Sequence, residues 1–317
     1  MIYLSGFLMD LQESKVVPRK RSLTRRLKKL TPLGLLGPTF FFIILIYTGA
    51  LISLFVFSFY RYMPSGENIM ERAFILDHYI RFLSDPYYLN VLWTTTKFSL
   101  MITAITLLVG YTISYTMVRS ESKSFKRLIL MVVLISSLVA VLARIYSWMI
   151  ILGEEGLLNN FLVLLGIIPS ANRIQFLGKP YGVIIGLTHI LLPFMIFTMA
   201  GVLRRIDRSV EEAAQSLGAN KIQTFLKVTL PLSMPAIASG CLLVYTLGIS
   251  SFAVPLLLGG PSDRFISNYI YDEFLYVGNF PFGSAMAFIL LFISLFIILG
   301  QFKVLQSKKL GGKMDAS

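Results

Sequence analysis

The sequence predicts an all-α integral membrane protein with six transmembrane helices and both termini on the cytoplasmic side. Three observations predict it. The chain of 317 residues is 56% hydrophobic and only 14% charged, a balance outside that of soluble domains. Its apolar residues fall into runs of about 20 or more, the length that crosses a bilayer as a helix. Its 29 Lys and Arg lie in short blocks between those runs. The blocks on one predicted side hold twenty-one basic residues and those on the other hold six, and the richer side faces the cytoplasm under the positive-inside rule. This distribution also accounts for the net charge of +13 without a nucleic-acid partner.

The elements follow in order. Residues 1–32 form a basic cytoplasmic tail with eight Lys and Arg, and the apolar run behind it is too long for a cleaved signal peptide. The six-helix domain covers residues 33–305. Span one is 33–60, with Pro38 placed in its first turn, where proline is tolerated. Span two is 90–118 and carries Lys97 near its outer end. Span three is 128–153 and carries Arg144. Residues 154–169 are too short in their apolar part to cross, so an interfacial or re-entrant helix is expected there. Span four is 181–203, with Pro193 as the expected kink. Span five is 233–258, with Ser233 as its N-cap. Span six is 281–302, and residues 306–317 form a basic C-terminal tail. The one cysteine, Cys241, excludes an intrachain disulfide and reads as a small packed residue.

Between spans four and five, residues 204–232 are polar enough to leave the membrane. Ser209 with Glu212 three residues on forms a capping-box pattern, so a short helix is expected to begin there. Gly218 is placed to end it in a left-handed turn. Asn220 with Gln223 opens a second helix, and Pro231 closes the unit. The pattern predicts a helix, a glycine turn and a helix on the cytoplasmic face, with small Ala213 and Ala214 leaving room for another protein.

Glu212-Ala213-Ala214, then Gly218, then Val228 and Leu230-Pro231, resembles the EAA loop of ABC importer permeases. The one departure is Val228, where the family pattern usually has Ile. Further stretches are similar to polyamine-type permeases: Gly110-Tyr111 with Tyr115, the run from Arg144 to Trp148, Gly156 to Asn159, Leu191 to Phe194, Pro255 to Pro261, and Pro281-Phe282-Gly283. The likeness covers about residues 85–305 and implies the type I ABC importer permease fold.

What the resemblance implies is a subunit that passes a solute and performs no chemistry. It implies a cytoplasmic ABC ATPase dimer, a second and different permease chain, an external solute-binding protein, and a lipid surround. It assigns the ATPase-docking coupling helix to Glu212, Ala213, Ala214, Leu217, Gly218 and Ala219. The cargo it suggests is a polyamine such as spermidine or putrescine. No cofactor, metal or catalytic residue is expected, and Gly259-Gly260 lacks the Lys-Ser/Thr of a phosphate loop.

Pathway candidates are Arg144, Tyr146, Trp148 and Tyr245. An arginine inside a span costs about 2.5–3.5 kcal/mol on insertion scales, so it faces a wet cavity, or it is tied to carboxylates such as Asp272 or Glu273. The aromatics could face an amine through cation–π contact, or serve as packing. Asn159, Asp272 and Glu273 are candidates to face the external binding protein, and Asn159 could instead brace the outer loop. The charges inside the spans are positive, so opine-like, phosphonate or amino-acid-derived solutes stay open as cargo. An ion-coupled secondary transporter is the alternative of another class, but it calls for intramembrane carboxylates that the spans lack.

Overall fold

Helices make up nearly all of the computed structural model, which describes residues 23–64 and 69–314. Most of the predicted basic tail therefore lies outside the described residues. The chain divides into two units at Leu54/Phe55. The first is the long helix α1, Leu23–Phe57, up to that point. Pro38 therefore falls in the helix interior, not in its first turn.

The second unit begins with a short antiparallel pair, β1 (Arg61–Tyr62) and β2 (Met70–Glu71), and helix α2, Asp77–Ser84. Then comes α3, Pro86–Arg119. Asp85 caps it by accepting from the Tyr87 backbone N–H at 2.9 Å, and Pro86 sits in its first turn. Helix α7, Pro180–Leu203, starts on a proline in the same way and holds Pro193 inside it. These two spans and α10, Leu230–Ile249, pack on one another and form the core.

Their close approach rests on small residues. A Cβ added to Gly110 of α3 would lie 2.7 Å from Met195 Cγ, and one on Gly240 of α10 would lie 2.6 Å from Met195 Sδ. Met195 of α7 thus fills a slot that two glycines open, as membrane helices do where backbones must approach. Three buried hydroxyls in α3 are satisfied within the helix: Thr95, Ser99 and Thr103 donate to Val91, Thr95 and Ser99 carbonyls at 2.7–2.8 Å. Polar side chains can therefore sit in a span without exposing a donor to lipid.

Expected span three is not one helix. Helix α4, Lys123–Leu138, and α5, Val141–Leu152, meet at a 103° bend, and α6, Leu157–Leu164, follows. Val139 and Ala140 have extended backbone, and neither is Pro or Gly. Just before the break Ser137 donates to the Leu134 carbonyl at 2.7 Å, a local bond that competes with the helix ladder.

Expected span five is also redrawn. Helix α9, Lys221–Thr224, runs through a π turn, Phe225–Thr229, into α10. The Leu230 N–H bonds to the Phe225 carbonyl, one residue further back than in an α-helix. Pro231 explains the wide turn: its ring would collide with the carbonyl four residues back. So Pro231 does not close the unit, and Ser233 is no cap. Ser233 is buried, with its Oγ 3.0 Å from the Tyr111 hydroxyl. The span ends at Ile249, ahead of α11, Ala253–Leu258. After it come α12, Ile266–Asp272, a second π turn, Glu273–Val277, and α13, Phe280–Met314, which runs on through the expected tail. Among the described residues, five helices are long and apolar enough to cross a membrane, and six if the bent pair counts as one span.

Candidate functional site

The polar hairpin is built as the sequence suggests, with a different start. Helix α8 is Arg208–Ser216, and its N-cap is Asp207, not Ser209. Asp207 Oδ1 accepts from the Ser209 backbone N–H at 3.0 Å. Hydrogen bonds from Ser209, the backbone one foremost, hold the Asp207 carboxyl below its usual range. Glu212 makes no capping box. It is exposed and pairs with Arg208 at 3.2 Å across one helical turn, and Arg208 also reaches Glu121 at 3.1 Å. Such exposed pairs contribute about 0–1 kcal/mol.

The helix ends in a Schellman motif. The Gly218 N–H bonds to the Gln215 carbonyl at 3.0 Å and the Ala219 N–H to the Ala214 carbonyl at 3.1 Å. Gly218 has φ of +92°, a conformation only glycine adopts without penalty. Asn220 and Gln223 then form the expected capping box, at 2.8 and 3.0 Å. The turn displays Leu217, 89% exposed, and Ile222 follows at 70% exposed. Ala213 is exposed, and Ala214 and Ala219 are half-buried.

Sequence reasoning missed the anchor of this hairpin. Glu211, beside the motif's Glu212, is buried. Its Oε1 accepts from Arg119 Nη2 at 2.8 Å and Nε at 3.2 Å, and from Thr229 Oγ1 at 2.7 Å. Tyr111 and Tyr115 pack edge-on against Phe225 beside it. Behind α8 lies a cleft of ≈ 680 Å³ whose lining includes Tyr115, Arg119, Glu211, Gln215 and Phe225.

The pathway candidates sit in different settings. Arg144 is buried, donates only a long 3.5 Å bond to the Ile190 carbonyl, and leaves its Nε without a partner. Among the described residues it pairs neither with Asp272, which Arg264 holds at 2.8 Å, nor with Glu273. Trp148 Nε1 donates to His189 Nδ1 at 3.0 Å, tying α5 to α7. Tyr146 is exposed, and Tyr245 is fully buried with its hydroxyl unpartnered among the described residues.

Of the outer candidates, Asn159 is wholly buried. It donates to the Gly153 and Ile174 carbonyls at 3.2 and 2.9 Å and accepts from the Ile174 N–H at 3.0 Å. It is the brace, not a contact surface. Glu273 is half-buried with one oxygen unbonded. Burial pushes its carboxyl above the usual range, against the pull of Arg81.

A set of apolar spans joined to a polar helical hairpin suits the membrane part of a transporter. Residues 106–310 match the family described as binding-protein-dependent transport system inner membrane component, and the chain belongs to that family. Among its relatives is the spermidine/putrescine transport system permease protein PotB of Escherichia coli (strain K12), 37% identical over 233 residues, covering 74% of this chain and 82% of that protein. The inner membrane ABC transporter permease protein YdcU of the same strain is 28% identical over 275 residues, covering 83% and 86%. In fold the chain is similar to a bacterial ABC transporter involved in import of the acidic polysaccharide alginate, with TM-score 0.66 and 19% identity over 89% of this chain and 99% of that one. The chain is thus a multi-pass inner-membrane permease subunit of an ABC importer, and not an enzyme.

Proposed function

We propose that the chain passes a polyamine such as spermidine or putrescine inward, driven by a separate ATPase. In this reading the hairpin lies in the cytoplasm and seats in the ATPase. An external receptor protein delivers the cargo, and a second, different permease chain completes the pathway. The observation that carries it is Leu217. Leu217 does not stand alone, since Val210, Ile222 and Leu226 of the same charged loop are exposed too, and several apolar side chains displayed on one polar loop suit a partner's surface. Glu212, Ala213, Gly218 and Ala219 form the face around it. The likeness to the spermidine/putrescine permease supports the cargo.

The test is purification and uptake. Leu217→Asp leaves the fold within about 0.5 kcal/mol, as exposed positions do, and should lose the co-purifying ATPase and vanadate-sensitive spermidine uptake. An unchanged complex and unchanged uptake would count against docking. A proton gradient as the sole energy source would point to a secondary transporter instead. A second cargo reading is favoured by Arg144, a buried cation with no carboxylate beside it among the described residues. It supports a solute carrying an anionic group, and competition of uptake by an opine or a phosphonate separates the two.

A further inference from the structure

The hairpin grips the bundle through one carboxylate oxygen. Glu211 Oε1 gathers Arg119, the last residue of α3, and Thr229, which closes the π turn at the base of α10. Arg119 in turn donates through Nη1 and Nη2 to the Ile206 carbonyl, just past α7, at 3.2 and 3.3 Å. A single polar cluster therefore joins α8 to the ends of the three helices that build the core.

Helix α9 already runs into α10 through the π turn, so the cluster matters for α8, whose other ties are weaker. The backbone turns at 204–207 and 217–220 are hydrogen-bonded within themselves and tie α8 only along the chain. The exposed Arg208–Glu121 pair is screened by water. Tyr111 and Phe225 make an apolar contact that can slide. The Glu211–Arg119 pair is short, charge-assisted and shielded, so it is stiff. Breaking it would strand Arg119 without its counter-charge, a state the fold resists.

We propose that Glu211 and Arg119 are the strut that carries movement of the hairpin into α3, α7 and α10, with Thr229 as its second arm. Glu211 is a positioning residue. It faces inward, while Glu212, Leu217 and Gly218 face out. The proposal rests on the docking reading above, and it goes further by naming where a push on the hairpin enters the spans.

The test uses the full complex of this chain, its ATPase, the second permease and the receptor protein, reconstituted in vesicles. Spin labels replace Thr116 of α3 and Gln215 of α8, which are both exposed and outside the cluster. In the otherwise unaltered complex, one narrow distance is expected, the same with and without ATP. In Glu211→Gln the distance distribution broadens and the ATPase still co-purifies. Spermidine moved per ATP hydrolysed falls about tenfold. The charge-swapped pair Glu211→Arg with Arg119→Glu recovers part of that ratio. A narrow distance and a normal ratio in Glu211→Gln would overturn the proposal, as would a distance that ATP changes in the parent complex. Loss of the ATPase from Glu211→Gln would also overturn it, since Glu211 would then serve docking. Should Glu211→Gln fail to insert, Thr229→Val removes one arm and keeps both charges; parent behaviour there refutes the strut equally. Failure of the docking reading looks different, because the ATPase would then be missing from the parent complex.

Discussion

Replacing Gly218 separates the cost of a turn from the presence of a partner. Its φ of +92° is strained for any L-residue. A Cβ built there meets nothing within 4 Å, so no internal clash adds to the backbone term. That term is about 1–2 kcal/mol for Ala and smaller for Asn, which tolerates the left-handed region. Trp carries a backbone penalty like that of Ala, and it would grow from an exposed position whose first side-chain atom meets nothing of this chain. Any loss in Gly218→Trp beyond that in Gly218→Ala must therefore come from something outside the chain. The assay is ATPase co-purification and ATP-driven uptake, with each variant matched for membrane level. Asn should be near normal, Ala reduced by up to about thirtyfold if the turn must be native to dock, and Trp inactive. Insertion should be normal in all three, since the change is local and exposed. Equal behaviour of Ala and Trp would mean that no protein approaches Gly218, and the docking face would be wrong.

Three further outcomes are expected. Asn159→Leu removes three buried hydrogen bonds and leaves groups that each cost about 1–3 kcal/mol to strand. Melting in detergent should drop by about 5 °C or more, with receptor affinity of the folded fraction unchanged. Arg144→Met removes a buried cation with no counter-charge beside it, so melting should hold or rise while uptake falls; normal uptake would make Arg144 a packing residue only. For Glu273 the folded state raises the carboxyl above its unfolded value of 4.5, chiefly through burial. A raised folded value means that the protonated form suits the fold. That contribution is complete below the unfolded value and is lost as pH climbs through the folded one. Thermal stability measured from about pH 4 to 7 should decline on this account, and Glu273→Gln should flatten that slope.

What was legible in the sequence was what depends on composition and on near neighbours. Helix α7 lies within one residue of its expected bounds because Pro180 and the basic cluster at Arg204 both mark it locally. The turn at Gly218 and the Asn220–Gln223 box followed for the same reason. The bend between α4 and α5 was hidden, since its site at Val139-Ala140 carries neither proline nor glycine, and only Ser136-Ser137 hinted at it. Helix α8 was expected to start at Ser209, but Asp207 caps it and Glu212 pairs with Arg208 instead of closing a box. Pro231 read as a stop, yet the π turn lets the helix pass through it. Asp272 was not left for Arg144, because Arg264, eight positions before it, takes it; among the described residues Glu273 pairs with neither arginine and keeps one oxygen unbonded.

The adjacent acids show where local reading ends. Neighbours on a helix point about 100° apart, so Glu211 and Glu212 cannot both face the bundle. Nothing in their own neighbourhood shows which one, if either, turns in. The choice depends on Arg119, ninety-two positions earlier, and on a threonine that the widened turn presents. The family pattern puts its weight on Glu212, which the structure leaves in solvent, and this is consistent if the pattern marks the surface that a partner reads. Glu211 answers a different demand. A hairpin that only displayed a docking face could hang from flexible turns, but one that moves spans needs a stiff inward contact. The buried acid supplies that contact where the ends of three core helices meet.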